Sequence, residues 1–259
     1  MAHYDNCFSL EGKVAVVAGG AGLIGSAVSA AMAESGAAVV VADSDTNKGV
    51  DLAAGLAKAV FYKLDVTKEV SVKALIRAAH KKYGRIDAWI NCFYPRTADW
   101  GNKLEDIRFL SWKKNMDMQL GGCFISCRAA AVYMKKQKSG SIINFASIYG
   151  LKAPDFSVYE GTKMTMPAAY SALKAGIINF TRYLAAYYGK YNIRVNCISP
   201  GGVFNKQPVS FVEKYCSKTP LGRMALPKDI AGAVIYLCSD ASGYVTGHNL
   251  VIDGGWSIV

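Results

Sequence analysis

A hydroxyl, a phenol and an ammonium fall close together in the middle of the chain. The stretch from Ser147 to Lys174 reads SIYGLKAPDFSVYEGTKMTMPAAYSALK. A serine can hold a carbonyl oxygen by a hydrogen bond. A phenol can hand that oxygen a proton, or take one from an alcohol. An unperturbed tyrosine titrates near about 10, so a nearby ammonium is needed to bring the phenolate within reach of neutral pH. Tyr-x-x-x-Lys puts the two groups one turn apart on a helix. The pattern occurs twice, as Tyr159/Lys163 and as Tyr170/Lys174. Tyr159 is followed by Glu160-Gly161-Thr162, which suits a loop. Tyr170 is followed by SALKAGIINFTRYLAAYYG, with apolar residues at helical spacing.

A second constellation lies near the start. Gly19-Gly20-Ala21-Gly22-Leu23-Ile24-Gly25 follows an apolar, β-branched run and precedes a helix-like one. Glycines there let the backbone turn tightly and approach a pyrophosphate, while the helix offers free N–H groups and its positive end. Gly19, Gly22, Leu23, Ile24 and Gly25 are therefore candidate cofactor contacts. Asp43 ends the next strand-like run, where a carboxylate can accept from the adenosine ribose hydroxyls and would repel a 2′-phosphate. No Arg or Lys lies between Ala18 and Thr46 to hold such a phosphate, so NAD is favoured over NADP. The structural alternatives are a tight turn for the loop and a helix N-cap for Asp43.

The elements that must position these residues alternate along the chain. Strands are expected near 13–19, 37–42, 59–64, 87–91, 140–146, 193–198 and 247–251. Helices are expected near 23–35, 46–57, 68–82, 107–136, 168–189 and 227–239. Such alternation implies an α/β fold: a Rossmann-like, doubly wound, seven-stranded parallel sheet with helices on both faces. No Pro/Ser linker divides the sequence and no internal repeat recurs, so residues 1–259 are expected to form a single domain.

Composition narrows the function classes. The 259 residues are 52% hydrophobic and 19% charged, as in an ordinary globular protein. No apolar run is long enough for a transmembrane helix. MAHYDNCFSL lacks the basic and apolar regions of a secretory leader, so the cytoplasm is the expected location. The seven cysteines contain no CxxC and the three histidines are scattered, so no metal site is expected and the thiols are expected to be free. The net charge is +11, but no basic block is interleaved with aromatics. Nucleic acid is not an expected partner. A solvated basic surface accounts for the charge, and an anionic small substrate is the next explanation.

With AGGAGLIG, Asp43, LDVT at Asp65, Asn91, Ser147, Tyr170-x-x-x-Lys174, IRVNCISPGGV from Ile193 and VTGHNLVIDGGW from Val245, the chain resembles the short-chain dehydrogenase/reductase family over its whole length. The resemblance implies an enzyme of the EC 1.1.1.- kind that interconverts a secondary alcohol and a ketone with NAD(P), usually as a homotetramer. In the family the reacting tyrosine opens a long helix 23 residues before the IRVN strand. Tyr170 has that spacing to Ile193. A reacting pair must be held on a rigid element, so Ser147, Tyr170 and Lys174 form the expected catalytic set. Lys174 is also expected to hold the nicotinamide ribose. By resemblance Asp65 and Val66 edge the adenine, Asn91 lies by the adjacent ribose, Pro200 and Gly201 line the nicotinamide pocket, and Val203 offers backbone groups to the carboxamide.

The sequence departs from the family in four places. Ala18 replaces the usual Thr. The glycine spacing is that of longer sugar-nucleotide members. Asn91-Cys92-Phe93-Tyr94 replaces Asn-Asn-Ala-Gly, and Gln119 stands where a fourth catalytic residue is normally Asn. A narrower likeness is to oxidoreductases of flagellin modification and legionaminic-acid-type sugar pathways. It rests on CFYPRTADWG, the Ser147–Lys174 stretch and ISPGGVFNKQP. The insertion 152–166 and the runs 93–103 and 204–218 are expected to flank the cleft. They bring Tyr94, Arg96, Trp100, Tyr159, Lys163 and Lys206. Aromatics beside cations suit a sugar carrying a phosphate or another anionic group. Two other readings stay open: a sugar-nucleotide epimerase or dehydratase with bound NAD, and a catalytically weak NAD-binding scaffold.

Overall fold

The first strand, Val14–Ala18, is VAVVA, and every residue of it is buried. Alternate side chains go to opposite faces. Val16 and Ala18 join one apolar cluster, and Ala15 and Val17 join another. The next strand, Ala38–Asp43, repeats the division, with Val40 and Ala42 on one face and Val39 and Val41 on the other. A strand covered on both faces must be apolar throughout, which is why these runs show no polar alternation. Each fully buried Val or Ile contributes roughly 1.5–3 kcal/mol.

The computed structural model describes residues 6–259. Residues 1–5, on which part of the leader expectation rests, lie outside the described residues. The strands are β1 (Val14–Ala18), β2 (Ala38–Asp43), β3 (Ala59–Lys63), β4 (Ala88–Asn91), β5 (Gly140–Phe145), β6 (Ile193–Pro200) and β7 (Asn249–Ile252). They form one seven-stranded sheet in the order β3-β2-β1-β4-β5-β6-β7, and every pairing is parallel. The order reverses between β1 and β4, and a crevice opens beyond their carboxyl ends.

Helices α1 (Leu23–Glu34), α2 (Thr46–Ala54), α3 (Glu69–Tyr83), α4 (Phe109–Met116), α5 (Gly122–Gln137), α6 (Ala168–Tyr188), α7 (Val209–Ser217) and α8 (Pro227–Cys238) cover the sheet. Residues of α1 and α8 such as Val28, Met32, Ile230 and Val234 pack on one face. Residues of α3, α5 and α6 such as Leu75, Cys127 and Ile177 pack on the other. The long helix expected over 107–136 is α4 and α5 joined by a π-turn at Asp117–Gly121, and this wider turn carries Gln119. No helix is expected over 204–218 from the sequence, yet the stretch contains α7. Phe211 and Tyr215 are its buried residues, four apart, and the apolar Val212 and Cys216 follow them.

Candidate active site

The chain leaves β1 and turns at Gly19, where φ is +79°. A Cβ there would sit 2.5 Å from the Phe93 nitrogen. A Cβ on Gly25 would sit 2.0 Å from the Gly19 carbonyl oxygen. Both positions require glycine, Gly19 so that the loop can lie against the backbone after β4 and Gly25 so that α1 can start close beneath the loop. No side chain caps α1 and no acidic residue sits in its first turn. Its amino end therefore presents N–H groups and positive potential to the cleft, where Gly19, Gly22, Leu23 and Ile24 are exposed to a ligand. Gly25 supports the loop from beneath and is not on the cleft wall.

Asp43 lines the same cleft. Its Oδ2 accepts from the Ala21 N–H at 3.0 Å and its Oδ1 from the Asp45 N–H at 3.0 Å. These bonds fix the carboxylate at the mouth of the glycine loop. The N-cap of α2 is Asp45, which accepts from the Lys48 N–H, so Asp43 is free of that structural duty. Asp65 and Val66 line the cleft further along. Asp65 accepts from the hydroxyl and N–H of Thr67, which hold its carboxyl below the usual carboxylate range. An uncapped helix end beside a fixed carboxylate fits the pyrophosphate and adenosine ribose of a dinucleotide.

Ser147, Tyr170 and Lys174 meet at the other end of this cleft, whose volume is about 850 Å³. Ser147 follows β5, and its Oγ accepts from the Tyr149 N–H at 3.2 Å. Tyr170 and Lys174 come from the first two turns of α6. The Lys174 ammonium donates to the Phe145 carbonyl at 2.7 Å and lies 5.4 Å from the centre of the Tyr170 ring. Burial pushes the Tyr170 phenol above its ordinary value, and the neighbouring Ser147 hydroxyl opposes that shift. Burial also brings Lys174 down to about 8, against smaller upward effects of Cys123, Cys92 and Cys197. The dry wall by itself thus disfavours the charged form of both groups. Pro200, Gly201 and Val203 line the cleft beside them. Gly202 is anchored there by donating its N–H to the Tyr215 hydroxyl at 2.6 Å.

Asn91 and Gln119 are placed differently. Both line a separate cavity of about 10 Å³ behind the cleft, together with Lys174. That volume has room for about one water. The Asn91 amide is engaged in the core: Nδ2 donates to Asn144 Oδ1 at 2.8 Å, and Oδ1 accepts from Ser126 and Trp89. Asn144 in turn donates to Thr181 on α6. This chain of bonds ties β4, α5 and β5 to the helix that carries Tyr170. Its side chain therefore braces the site and does not reach the cleft. Gln119 is 2% exposed, and its Nε2 has no hydrogen-bond partner among the described residues.

Of the expected substrate residues, Tyr94, Arg96, Trp100 and Tyr159 line the cleft, whereas Lys163 and Lys206 are exposed and do not line it. Tyr94 and Trp100 pack edge-on against Tyr170, at 5.8 and 6.2 Å between ring centres. Arg96 lies 5.4 Å from the Tyr94 ring centre. Tyr159 descends from the insertion onto Phe211 of α7, with ring centres 5.2 Å apart. The sequence reading missed Tyr149, Phe211, Tyr215, Asn205 and Gln207 on the cleft wall. The i, i+4 pair Phe211/Tyr215 carries a helical signal that could have flagged two of them. Among the described residues no cluster of His, Cys, Asp or Glu could hold a metal.

A family model described as enoyl-(acyl carrier protein) reductase matches residues 19–257. The chain belongs to the short-chain dehydrogenase/reductase family. Its members are dehydrogenases and reductases that act on CH–OH groups. Post-translational flagellin modification protein A of Campylobacter coli is 34% identical, covering 96% of this chain and 100% of its own. A short-chain dehydrogenase of Leptospira borgpetersenii, solved with bound NAD+, is 33% identical with a TM-score of 0.86 over 99% of this chain and 97% of that one. A gluconate 5-dehydrogenase of Burkholderia cenocepacia, solved with NADP and tartrate, is 28% identical with a TM-score of 0.88 over 99% of this chain and 100% of that one. The family thus takes either dinucleotide.

Proposed function

We propose that this dehydrogenase/reductase interconverts a secondary alcohol and a ketone on a sugar or an anionic sugar derivative, with NAD as its dinucleotide. The observation that carries this reading is one continuous cleft. It has the glycine loop and Asp43 at one end, and Ser147, Tyr170 and Lys174 at the other. The dinucleotide, when bound, supplies the hydride acceptor or donor. The amino end of α1 holds its phosphates and Asp43 its adenosine ribose, while Lys174 takes the ribose next to the nicotinamide. Ser147 donates to the substrate oxygen. In oxidation the Tyr170 phenolate takes the hydroxyl proton, and in reduction the phenol returns it. The Lys174 ammonium stabilises the phenolate.

Asp43 supports NAD, because a 2′-phosphate would meet a carboxylate already fixed by two backbone N–H groups. The sugar reading is supported by the flagellin-modification and gluconate relatives. It is also supported by Arg96, which lines the cleft and forms no ion pair among the described residues. The first of those relatives also supports a role in surface-glycan biosynthesis as part of this reading. Seven free thiols suit a reducing, cytoplasmic setting. No described helix is long and apolar enough to cross a membrane.

The exposed side of α6 carries a ladder of rings. Phe180, Tyr183 and Tyr187 are stacked at 6.3 and 6.0 Å, and α4 adds the exposed Phe109 and Leu110. This apolar face supports the homotetramer that family membership suggests.

The test is a panel of free, phosphorylated and nucleotide-linked sugars and sugar acids, with NAD or NADP, read by absorbance of the reduced dinucleotide. NAD-dependent turnover of a sugar that Tyr170→Phe lowers by orders of magnitude is the expected result. Turnover confined to unsubstituted alcohols, or a preference for NADP, overturns the corresponding part.

A further inference from the structure

Taking that sugar-oxidising reading as its basis, we propose that Tyr149 and Tyr159 act as a pair that recognises a second oxygen substituent of the substrate, away from the carbon that reacts. Both side chains line the cleft with Tyr170, and both residues are only 7% exposed. They belong to one aromatic cluster against which Tyr170 packs. The Tyr159 hydroxyl donates to that of Tyr149 at 3.5 Å, a long bond. Neither hydroxyl has another side-chain or backbone partner among the described residues, so one phenol proton of the pair is left without an acceptor.

The surroundings make this pair distinctive. Ile148, Val158, Phe211, Met224 and Trp256 supply an apolar wall around it. Tyr94, also on the cleft lining, accepts from Trp100 Nε1 at 2.8 Å through its hydroxyl. The Tyr149–Tyr159 pair thus puts two hydroxyls into an apolar stretch of the cleft wall. Burial raises both phenols, Tyr159 to about 12, so both remain donors across the working pH range. An oxygen-bearing substituent placed there completes their hydrogen bonds, whereas a hydrocarbon leaves them unmade.

Both rings are also fixed in place. The Tyr149 N–H donates to Ser147 Oγ, which links its backbone to the residue that holds the reacting oxygen. Tyr159 is fixed through the insertion. Lys218 pairs with Asp155 and donates to Ser157, while Lys214 donates to the carbonyls of Ser157 and Glu160. Both lysines stand at the end of α7. A reader on a clamped segment can discriminate substrates, because it cannot move aside for the wrong one.

The experiment uses myo-inositol and cyclohexanol, two cyclic secondary alcohols that differ in their extra hydroxyls, together with the best sugar of the panel. kcat and KM are measured for the wild type, Tyr149→Phe, Tyr159→Phe and the double variant. The wild type should prefer the oxygenated probes. The Phe variants should lose about 10- to 100-fold of kcat/KM on them, mainly through KM, with cyclohexanol unchanged. A preference that survives in the double variant, or equal losses on all probes, overturns the proposal. A wild type with no preference for oxygenated probes overturns the sugar reading as well, so the two failures are distinguishable.

Discussion

The Lys174 ammonium donates to the main-chain carbonyl of Phe145 at 2.7 Å, where β5 ends and Ser147 begins two residues later. One bond thus ties the helix that carries Tyr170 to the strand that leads into Ser147. It holds a cation in a buried place, and burial brings that cation down to about 8 from an ordinary 10.5. Between those values the unfolded chain binds more protons than the folded one, so stability rises as pH goes from about 8 toward 10.5. Below pH 8 both states carry the charge and the full burial cost remains. A shift of this size is on the order of 3 kcal/mol. Lys174→Met should therefore stabilise the cofactor-free protein at pH 7, by about 2 kcal/mol once the unpaired Phe145 carbonyl is counted. The gain should vanish near pH 10. Urea unfolding at the two pH values checks this, and a pH-independent difference would refute it.

Activity should move the opposite way. Burial raises the Tyr170 phenol, and the Lys174 charge 5.4 Å from the ring centre must bring the phenolate back. A unit charge at that distance is worth about 3 kcal/mol at an effective dielectric of about 20, or about two pKa units. Lys174→Ala should thus shift the alkaline rise of the oxidation rate to higher pH, besides weakening dinucleotide binding. Tyr170→Phe should cost about 10²- to 10⁴-fold in kcat with dinucleotide affinity intact. A pH profile of kcat/KM for each variant, with dinucleotide titration by fluorescence, separates the two effects.

Much of this site was legible in the sequence because each part of it sits next to a strand end. Val14–Ala18 before Gly19 and Ala38–Ala42 before Asp43 are apolar runs, and Ile142–Ala146 before Ser147 is one broken by Asn144; each stops at a candidate site residue. Helix context also separated Tyr170 from Tyr159, because Gly161 adopts φ +77° and keeps the segment after Tyr159 out of a helix. Tyr149 and the orientation of Asn91 were not legible. Tyr149 reads as one more aromatic after a strand, and only the fold of the insertion brings Tyr159 onto it. Asn91 sits at a strand end like Asp43, yet Asn144, Ser126 and Trp89 arrive from other elements and turn its amide inward. Cross-element contacts of this kind leave no local periodicity.

Asp43 offers a direct test of dinucleotide choice. Its carboxylate bonds to the N–H groups of Ala21 and Asp45, so removing it takes away the proposed ribose acceptor and loosens the glycine loop together. Asp43→Ala should raise KM for NAD about tenfold or more and narrow the preference over NADP, with kcat little changed. Paired titrations with NAD and NADP give the ratio. A preference that survives the substitution would place selectivity elsewhere.

The ring ladder on α6 predicts an assembly. Tyr183 is 62% exposed and Tyr187 is 56% exposed, a costly arrangement for two large side chains on a free surface. Tyr183→Asp/Tyr187→Asp should lower the association state without unfolding the chain, since neither residue belongs to the core. Sedimentation at micromolar concentration should show a tetramer for the wild type and smaller species for the variant. A wild-type monomer would contradict the interface.

Gln119 presents the sharpest local question. Its Nε2 is buried without a partner, and such a group costs about 1–3 kcal/mol. The π-turn at Asp117–Gly121 points it into the small cavity it shares with Lys174. A water there could connect the amide to the ammonium and pass protons toward Lys174. If it does, Gln119→Ala should lower kcat about tenfold and flatten the pH dependence of oxidation, while Gln119→Asn restores part of both. Thermal stability should change little, because the lost packing is offset by removal of an unpartnered amide. Unchanged turnover and an unchanged pH profile in Gln119→Ala would leave this residue with a packing role alone.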